Sequence, residues 1–478
     1  MYEKTIENPW GVPITLFAGA DVPVEPEAVE QVLAFASLAE TLPLFPGTRL
    51  DRVVLTPDFH KGKSGAGGIP IGTVARCQGF VLPQAVGSDV CCGMRLVATD
   101  VTTEELARKE REVSPRVLER TLRGLFFEGK RDIPLSPRQR EALLRAGLWG
   151  LWDTWDDNAD VGLWGGLSRA EHERDLLRTH FQGCLEAPSV FSAFEDWRVG
   201  SGRRDGRDAQ IGSVGGGNHF VELQAIDEVS SPRARQWGLQ HGCVAVMAHS
   251  GSVGLGHAVG NHFTDVARAL FATTKARTPA HGFFPIPEGH EAFARYRSAL
   301  FNAANFAFAN RMFLARMMVR ALETTLGRTV GCRLVYDAPH NLIWYGEGGH
   351  LHRKGACPAH LGDPVIVPGS MGDHSHVLEG NGHEGALSSA CHGAGRVLSR
   401  TKVRHEGDAL AGIRVVTAVD LDDPAVRSRR DIVEAHLARI REEAPRAYKD
   451  VTPVVRTIDG AGIASRVARS SPILTVKG

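Results

Sequence analysis

Three histidines, His219, His249 and His340, each stand in a Gly-, Ser- or Asn-rich loop beside a β-type apolar run. Gly215-Gly216-Gly217-Asn218-His219 leads into Phe220-Val221-Glu222-Leu223. Val244-Ala245-Val246-Met247 runs out to His249-Ser250-Gly251, and Leu334-Val335-Tyr336 runs out to His340-Asn341. Asp89 and Cys92 share the Gly-bounded turn Gly87-Ser88-Asp89-Val90-Cys91-Cys92-Gly93, so a carboxylate and a thiol can aim at one ion. These five O, N and S donors suffice for two ions bridged by the thiolate, about 3.5–4 Å apart as in two-metal sites. The set does not select a metal: imidazole and carboxylate suit Mn, Fe, Co or Zn, and thiolate leans towards Zn by affinity. Taken singly, each His is more often a loop hydrogen bond, Asp89 an Asx turn and Cys92 a small buried hydrophobe. Five such residues beside glycines at strand edges point instead to one site. Cys77, Cys184, Cys243, Cys332 and Cys357 have no ligand spacing and read as core.

A further histidine sits in Cys391-His392-Gly393-Ala394-Gly395-Arg396, where a loop meets a possible helix starting Arg396-Val397-Leu398-Ser399. Small residues let backbone N–H groups approach a phosphate, a helix N-terminus favours its charge, and Arg396 can add a planar contact. His392 is then placed to attack phosphorus and form a phosphoramidate. A helix cap or a general base are its ordinary alternatives. Lys61-Gly62-Lys63-Ser64-Gly65-Ala66-Gly67-Gly68, Ser250-Gly251-Ser252-Val253-Gly254-Leu255-Gly256 and Pro368-Gly369-Ser370-Met371-Gly372 are also phosphate-type loops. None is a Walker A or a dinucleotide fingerprint in the required context. Lys477, next to the last residue, becomes functional only if the tail docks.

The elements that must position these residues follow from periodicity. Helical spacing is clearest over 27–42, 103–125, 136–148, 168–182, 290–326 and 424–443. Strand-like runs lie at Val53-Val54-Leu55, Leu96-Val97-Ala98 and Val365-Ile366-Val367 besides those already named. The 140–210 region is rich in Trp, Arg and Asp with weak strand signals and reads as a mostly helical insertion. With no long Pro/Ser linker, residues 1–478 read as a single catalytic domain. The 478 residues are 43% hydrophobic and 23% charged, which is ordinary for a globular chain that buries a large core. Lys+Arg 55 against Asp+Glu 55 gives no general attraction to nucleic acid, so any such binding needs a local patch. Arg203, Arg204 and Arg207 form one basic cluster, and Arg427, Arg429 and Arg430 another. No apolar run approaches the roughly 20 residues of a membrane helix. No export signal is visible, so a cytoplasmic protein with reduced thiols is expected.

The same residues fall into ordered strings that resemble the RtcB family of RNA-splicing ligases. They are Pro57-Asp58-Phe59-His60, Ser88-Asp89-Val90-Cys91-Cys92-Gly93, Gly217-Asn218-His219-Phe220-Val221-Glu222 and Ala248-His249-Ser250-Gly251-Ser252. Ala303-Ala304-Asn305-Phe306-Ala307-Phe308-Ala309-Asn310-Arg311, His340-Asn341, His352-Arg353-Lys354-Gly355-Ala356 and Pro368-Gly369-Ser370-Met371-Gly372 follow. Cys391-His392-Gly393-Ala394-Gly395-Arg396, Ala447-Tyr448-Lys449-Asp450 and Val476-Lys477-Gly478 complete them across nearly the whole chain. The resemblance implies an α+β fold, with central β-sheets flanked by helices around a deep metal-containing cleft. It implies an enzyme that joins RNA ending in a 2′,3′-cyclic phosphate or 3′-phosphate to RNA with a 5′-hydroxyl, using GTP and two Mn²⁺, in tRNA splicing or RNA repair. Carried over by motif, Cys92, His249 and His340 would hold one Mn²⁺, and Asp89, Cys92 and His219 the other. His392 would attack the α-phosphorus of GTP and carry GMP. Asn218 and Arg396 would contact phosphates, while Glu222, Tyr448 and Lys477 would meet the guanine end, with Tyr448 stacking. Asn341, the loop Pro368, Gly369, Ser370 and Met371, and Gly393, Ala394 and Gly395 complete the expected nucleotide site. A monomer is expected, with a possible activating protein.

Several residues depart from the family pattern. Val253 stands where the Ser-Gly-Ser-Arg-Gly-Leu-Gly loop usually has Arg. The loop after His60 carries extra residues, Lys63 to Gly67, so Lys61 and Lys63 could supply charge. Pro339 precedes His340, and His374 and His376 follow the Pro-Gly-Ser-Met-Gly loop, where metal or substrate handling could change. These departures suggest a divergent paralogue. They also keep two other readings open. One is a metal-dependent phosphoesterase or 3′-phosphate guanylyl-capping enzyme that does not ligate; the other is a non-catalytic binding protein on the same scaffold.

Overall fold

The apolar runs become strands of two sheets in the computed structural model, which describes residues 2–114, 116–157, 161–199, 211–398, 400–403, 412–420 and 423–478. The larger sheet runs in the order Cys332–Pro339, Gly93–Thr102, Cys243–Ser250, Phe220–Val229, Ala464–Val476, Ser375–Gly380 and Pro364–Val367. Every neighbouring pair along it is antiparallel, and Val415–Val416 joins Ala464–Val476 in parallel. Its central strands are buried on both faces, which is why they read as continuous apolar runs rather than alternating ones. The second sheet runs Glu3–Thr5, Ile14–Phe17, Arg49–His60, Ile71–Gln78, His350–Lys354 and Asn341–Trp344. A two-stranded ladder, Ala356–Pro358 with Ser389–Cys391, carries the chain into His392. The mixed architecture agrees with the α+β expectation.

The Ala-rich segment 290–326 is the helix Glu291–Leu326, capped at its start by the His290 ring and ended by Gly327 in the left-handed region. At 36 residues it is about 54 Å long. It is apolar around most of its girth, so it is buried rather than amphipathic. It packs against the helices Pro137–Asp153, Val117–Phe126 and Val253–Ala272 and against the strand Cys243–Ser250. In the segment read as helical the described residues form Pro137–Asp153, Arg169–Leu176 and Glu195–Val199. The cluster Arg203, Arg204 and Arg207 lies outside the described residues. Among the described residues no helix is long and apolar enough to cross a membrane. All eight cysteines are free thiols.

Three elements depart from the periodicity reading. Val253–Ala272 is a helix whose Gly-rich first turn disguises it as a loop. Val451–Gly460 is a helix, and Ala464–Val476 is the longest strand, although Arg, Ser and Pro interrupt its apolar pattern. The helix expected from Arg396 does not begin there, since Arg396–Leu398 are not helical, and a short helix, Arg400–Val403, follows. Arg396 instead bridges Tyr448 as an isolated antiparallel pair, and Gly395 before it holds φ +83°, off the helical path.

Candidate active site

Antiparallel pairing lines up the ends of four adjacent strands. Cys92 immediately precedes Gly93–Thr102, His249 is next to last in Cys243–Ser250, His219 immediately precedes Phe220–Val229, and His340 immediately follows Cys332–Pro339. The register sets Met94 and Phe220 against His249, and Gly93 against Pro339. Strands lie about 4.8 Å apart, so side chains from one end of this ladder must converge.

They converge as a row. Asp89 Oδ2 lies 3.0 Å from His219 Nε2, which lies 3.1 Å from Cys92 Sγ. Cys92 Sγ lies 3.2 Å from His249 Nε2, which lies 3.3 Å from His340 Nε2. The Cys92, His219 and His249 donor atoms all lie within 4.8 Å of one another. Burial, then the neighbouring histidines, pushes His249 and His340 well below the ordinary imidazole range, so both are neutral at pH 7. Burial would raise Asp89, but facing His219 outweighs it and holds the carboxyl at about 2. Burial and the Asp89 charge push the Cys92 thiol well above its usual value. Two neutral ring nitrogens directed at each other and at a buried thiol leave a lone pair without a donor. A cation would resolve that arrangement and would take the thiol as thiolate. His219 Nδ1 meets the Val214 carbonyl at 3.1 Å, which orients the ring with Nε2 towards the row. Gly251 is required beside it, since a Cβ there would come within 2.5 Å of Asp89 Oδ1.

The row ends at the nucleophile candidate. The His340 and His392 ring centroids are 4.7 Å apart. His392 Nδ1 is 2.6 Å from Asp58 Oδ2, which also accepts the His392 backbone N–H at 3.2 Å. Asp58 is fully buried, and Thr56 Oγ1 donates to its other oxygen. Burial works to raise the Asp58 carboxyl, but His392 outweighs it and holds it below the carboxylate range. An ionised Asp58 takes the Nδ1–H and leaves Nε2 as the ring nitrogen with a free lone pair. His60 Nδ1 meets the Asp58 carbonyl at 2.7 Å, and Lys449 Nζ donates to Phe59 O at 2.7 Å, which anchors this strand end. Asp58 and Lys449 stand in strings quoted above, but no role attached to them. The signal available was a lone carboxylate ending a β-type run.

A cavity of about 830 Å³ opens onto both parts. Its walls include Asp89, Cys92, Asn218, His249, His340, Asn341, the loops Pro368–Met371 and His392–Arg396, Tyr448 and Lys477. Nucleotide-sized ligands occupy volumes of this order. The Ser370 hydroxyl is buried there with no partner, and Asn341 braces the site by accepting the Gly355 N–H at 2.7 Å. Arg396 lies over the Tyr448 ring at 4.9 Å and pairs with Glu443 at 3.0 Å. The tail is docked: Lys477 Nζ donates to His219 O at 2.7 Å. Two expected residues stand behind the wall rather than in it. His219 is covered by Asp89 and Cys92. Glu222 is buried, its oxygens taken by Thr475 at 2.7 Å and Gln224 at 2.6 Å, and Thr475 is the one that faces the cavity. Burial pushes the Glu222 carboxyl up to about 7. His374 bonds Ser471, and His376 is buried beside Arg466 and Arg469; neither reaches the donor row. Lys61 and Lys63 do line the cavity, whereas Val253 does not.

Residues 41–478 match the family model described as tRNA-splicing ligase RtcB. The chain is similar to proteins named tRNA-splicing ligase RtcB. That of Archaeoglobus fulgidus is 29% identical over 100% of this chain and 98% of its own length. That of Thermococcus kodakarensis is 32% identical over 92% of this chain and 90% of its own, and that of Nanoarchaeum equitans 30% identical over 100% and 98%. With a family model over nearly the whole chain and relatives matched almost end to end, this chain belongs to the RtcB family.

Proposed function

We propose that this chain is a GTP- and Mn²⁺-dependent RNA ligase acting in tRNA splicing or RNA repair in the cytoplasm. It joins a 2′,3′-cyclic phosphate or 3′-phosphate end to a 5′-hydroxyl end as one catalytic body, in which 140–210 is an insertion. The observation that carries this is the Asp58–His392 pair at 2.6 Å, at the end of the donor row in one cavity.

His392 Nε2 attacks the α-phosphorus of GTP; the N–P bond forms, the bridging P–O bond breaks and pyrophosphate leaves. The proton stays on Nδ1, and the ionised Asp58 that accepts it as a hydrogen bond stabilises the charge gained by the ring. An oxygen of the RNA 3′-phosphate, reached from a cyclic end by hydrolysis, then takes GMP from His392. The 5′-hydroxyl attacks the RNA phosphorus, GMP leaves and the 3′–5′ phosphodiester remains. Asp89, Cys92 and His219 would hold one divalent ion and Cys92, His249 and His340 the other, and bound ions neutralise phosphoryl oxygens. The shared position of Cys92 in the row, between His219 and His249, supports that division. The Ser370 hydroxyl and the Gly393–Gly395 backbone suit phosphate, Arg396 gains a phosphate by giving up Glu443, and Tyr448 offers a stacking face for guanine. Glu222 acts at the base through Thr475 and Lys477.

Val253 gives a specific reason to keep a second outcome, guanylyl capping of RNA 3′-phosphate without joining. It occupies the first turn of the helix Val253–Ala272 at φ +49° and carries no charge.

Wild type and His392→Ala incubated with Mn²⁺ and α-labelled GTP test the reading by denaturing gel and intact mass. A GMP adduct on wild type alone is expected, with joined RNA when both ends are supplied. A well-folded, metal-loaded wild type that takes no label overturns it; label with capped but unjoined RNA selects the second outcome.

A further inference from the structure

The donor row has a support that touches none of its donor atoms. Asn310 and Arg311 are adjacent on the helix Glu291–Leu326, and both are fully buried. Arg311 Nη1 donates to Cys91 O at 2.7 Å and to Ser250 O at 3.1 Å. Its Nε donates to Asp337 Oδ1 at 2.9 Å. Cys91 precedes Cys92, Ser250 follows His249, and Asp337 stands three residues before His340. One guanidinium thus grips the backbone or side chain beside three of the donors. Cys91 also holds φ +57°, a left-handed conformation that is unfavourable for a non-Gly residue and persists only when its surroundings enforce it.

Asn310 completes the set. Its Nδ2 donates to Ser213 O at 3.0 Å, Ser250 Oγ at 3.0 Å and Gly251 O at 3.1 Å. Its Oδ1 accepts the Gly212 and Ser213 N–H groups at 2.8 and 3.1 Å. Ser250 Oγ reaches Val214 O at 2.8 Å, the same carbonyl that orients His219. The four Cys and His donors therefore all stand next to segments held by these two residues.

We propose that Asn310 and Arg311 are positioning residues that assemble the Asp89–His340 row before a cation arrives, so that the long helix sets divalent-ion affinity. The proposal rests on the metal part of the function above. It is tested without GTP or RNA, so the two can fail separately.

The helix carries its own control. Asn305 is equally buried, donates to Leu144 O at 3.0 Å and Leu185 O at 2.8 Å, and accepts the Leu185 N–H at 2.9 Å. Its partners lie in the helical segment, not beside any donor. Asn310→Ala and Asn305→Ala in the full chain should lower the metal-free Tm by similar amounts. Only Asn310→Ala should weaken Mn²⁺ binding, by about 10–100-fold as for other outer supports of metal ligands. It should also shift the sulfur-to-metal charge-transfer band of the Co²⁺ form. Asn305→Ala should stay within about twofold of wild type, as for an uncoupled site. Arg311→Lys keeps the charge but loses the fork, and should weaken Mn²⁺ binding at least as much; if it does not fold, the asparagine pair decides. Mn²⁺ affinity unchanged in Asn310→Ala, or lowered equally in Asn305→Ala, overturns the proposal.

Discussion

The two walls of the cleft are built by different means. On the metal wall, the donors sit at the ends of neighbouring strands of one sheet, and the ladder places them. On the nucleophile wall, His392 leaves a short two-stranded ladder and is held by Asp58, 334 positions away, on the other sheet. Gly395 lies against that partner, for a Cβ there would come within 2.3 Å of the Asp58 carbonyl. The first wall is set by register, shared among many backbone hydrogen bonds, and braced from behind by Asn310 and Arg311. The second is a property of a few side-chain contacts between distant segments. Damage to the first should therefore remove metal, and damage to the second should spare metal and slow chemistry.

The largest effect is expected at the one residue common to both halves of the row. Cys92→Ala deletes the atom between His219 and His249. Metal content after dialysis should fall to background, and GMP labelling with it. A Cys92→Ala protein that keeps two equivalents of Mn²⁺ would break the comparison on the metal side. Asp58→Asn tests the other wall. The amide no longer selects the tautomer with a free Nε2, so labelling should slow by about 10²–10⁴-fold. Mn²⁺ content should match wild type. If Asp58→Asn also loses metal, the walls are one mechanical unit and the distinction fails.

How much of each wall was legible in the sequence follows the same division. Asp89, Cys92, His219, His249 and His340 announce themselves through residue type and flanking glycines, because a donor at a strand end needs a turn beside it. The structure brings all five together. Asp58 did not announce itself, since nothing local to Pro57-Asp58-Phe59-His60 says which distant residue its carboxylate will face. The helix expected from Arg396 does not begin there for a similar reason: the Arg396 backbone pairs with Tyr448, 52 positions on, and the helix is Arg400–Val403 instead. The helix Val253–Ala272 was hidden by Gly-rich spacing, and Ala464–Val476 by its Arg, Ser and Pro residues. Asn305 and Asn310 look alike within one Ala-rich helix. Only the fold shows that one faces the helical segment and the other the donor row.

The smallest expected effect uses acid to separate the metal wall from the rest of the molecule. His249 and His340 are held neutral on that wall by burial, and a bound cation would keep them so. His172 is buried in the helical segment, where its Nε2 meets Leu148 O at 3.0 Å and burial pushes it down to about 4. In the unfolded chain it titrates near 6.5. Between these values the unfolded state binds the extra proton, so stability rises with pH and is lost as pH falls from about 6.5 towards 4. From pH 7 to pH 5 that single group accounts for about 2 kcal/mol, or about 2 °C in Tm for a chain of this size. His172→Asn should shrink the pH 7 to pH 5 drop in Tm by that amount, and saturating Mn²⁺ should leave this increment unchanged. Mn²⁺ should reduce only the part of the remainder that belongs to His249 and His340, since His60, His180, His352 and His376, also pushed down by burial, lie outside the donor row. If metal erased the His172 increment as well, the helical segment would be coupled to the cleft, and the metal wall could no longer be treated as independent of that segment.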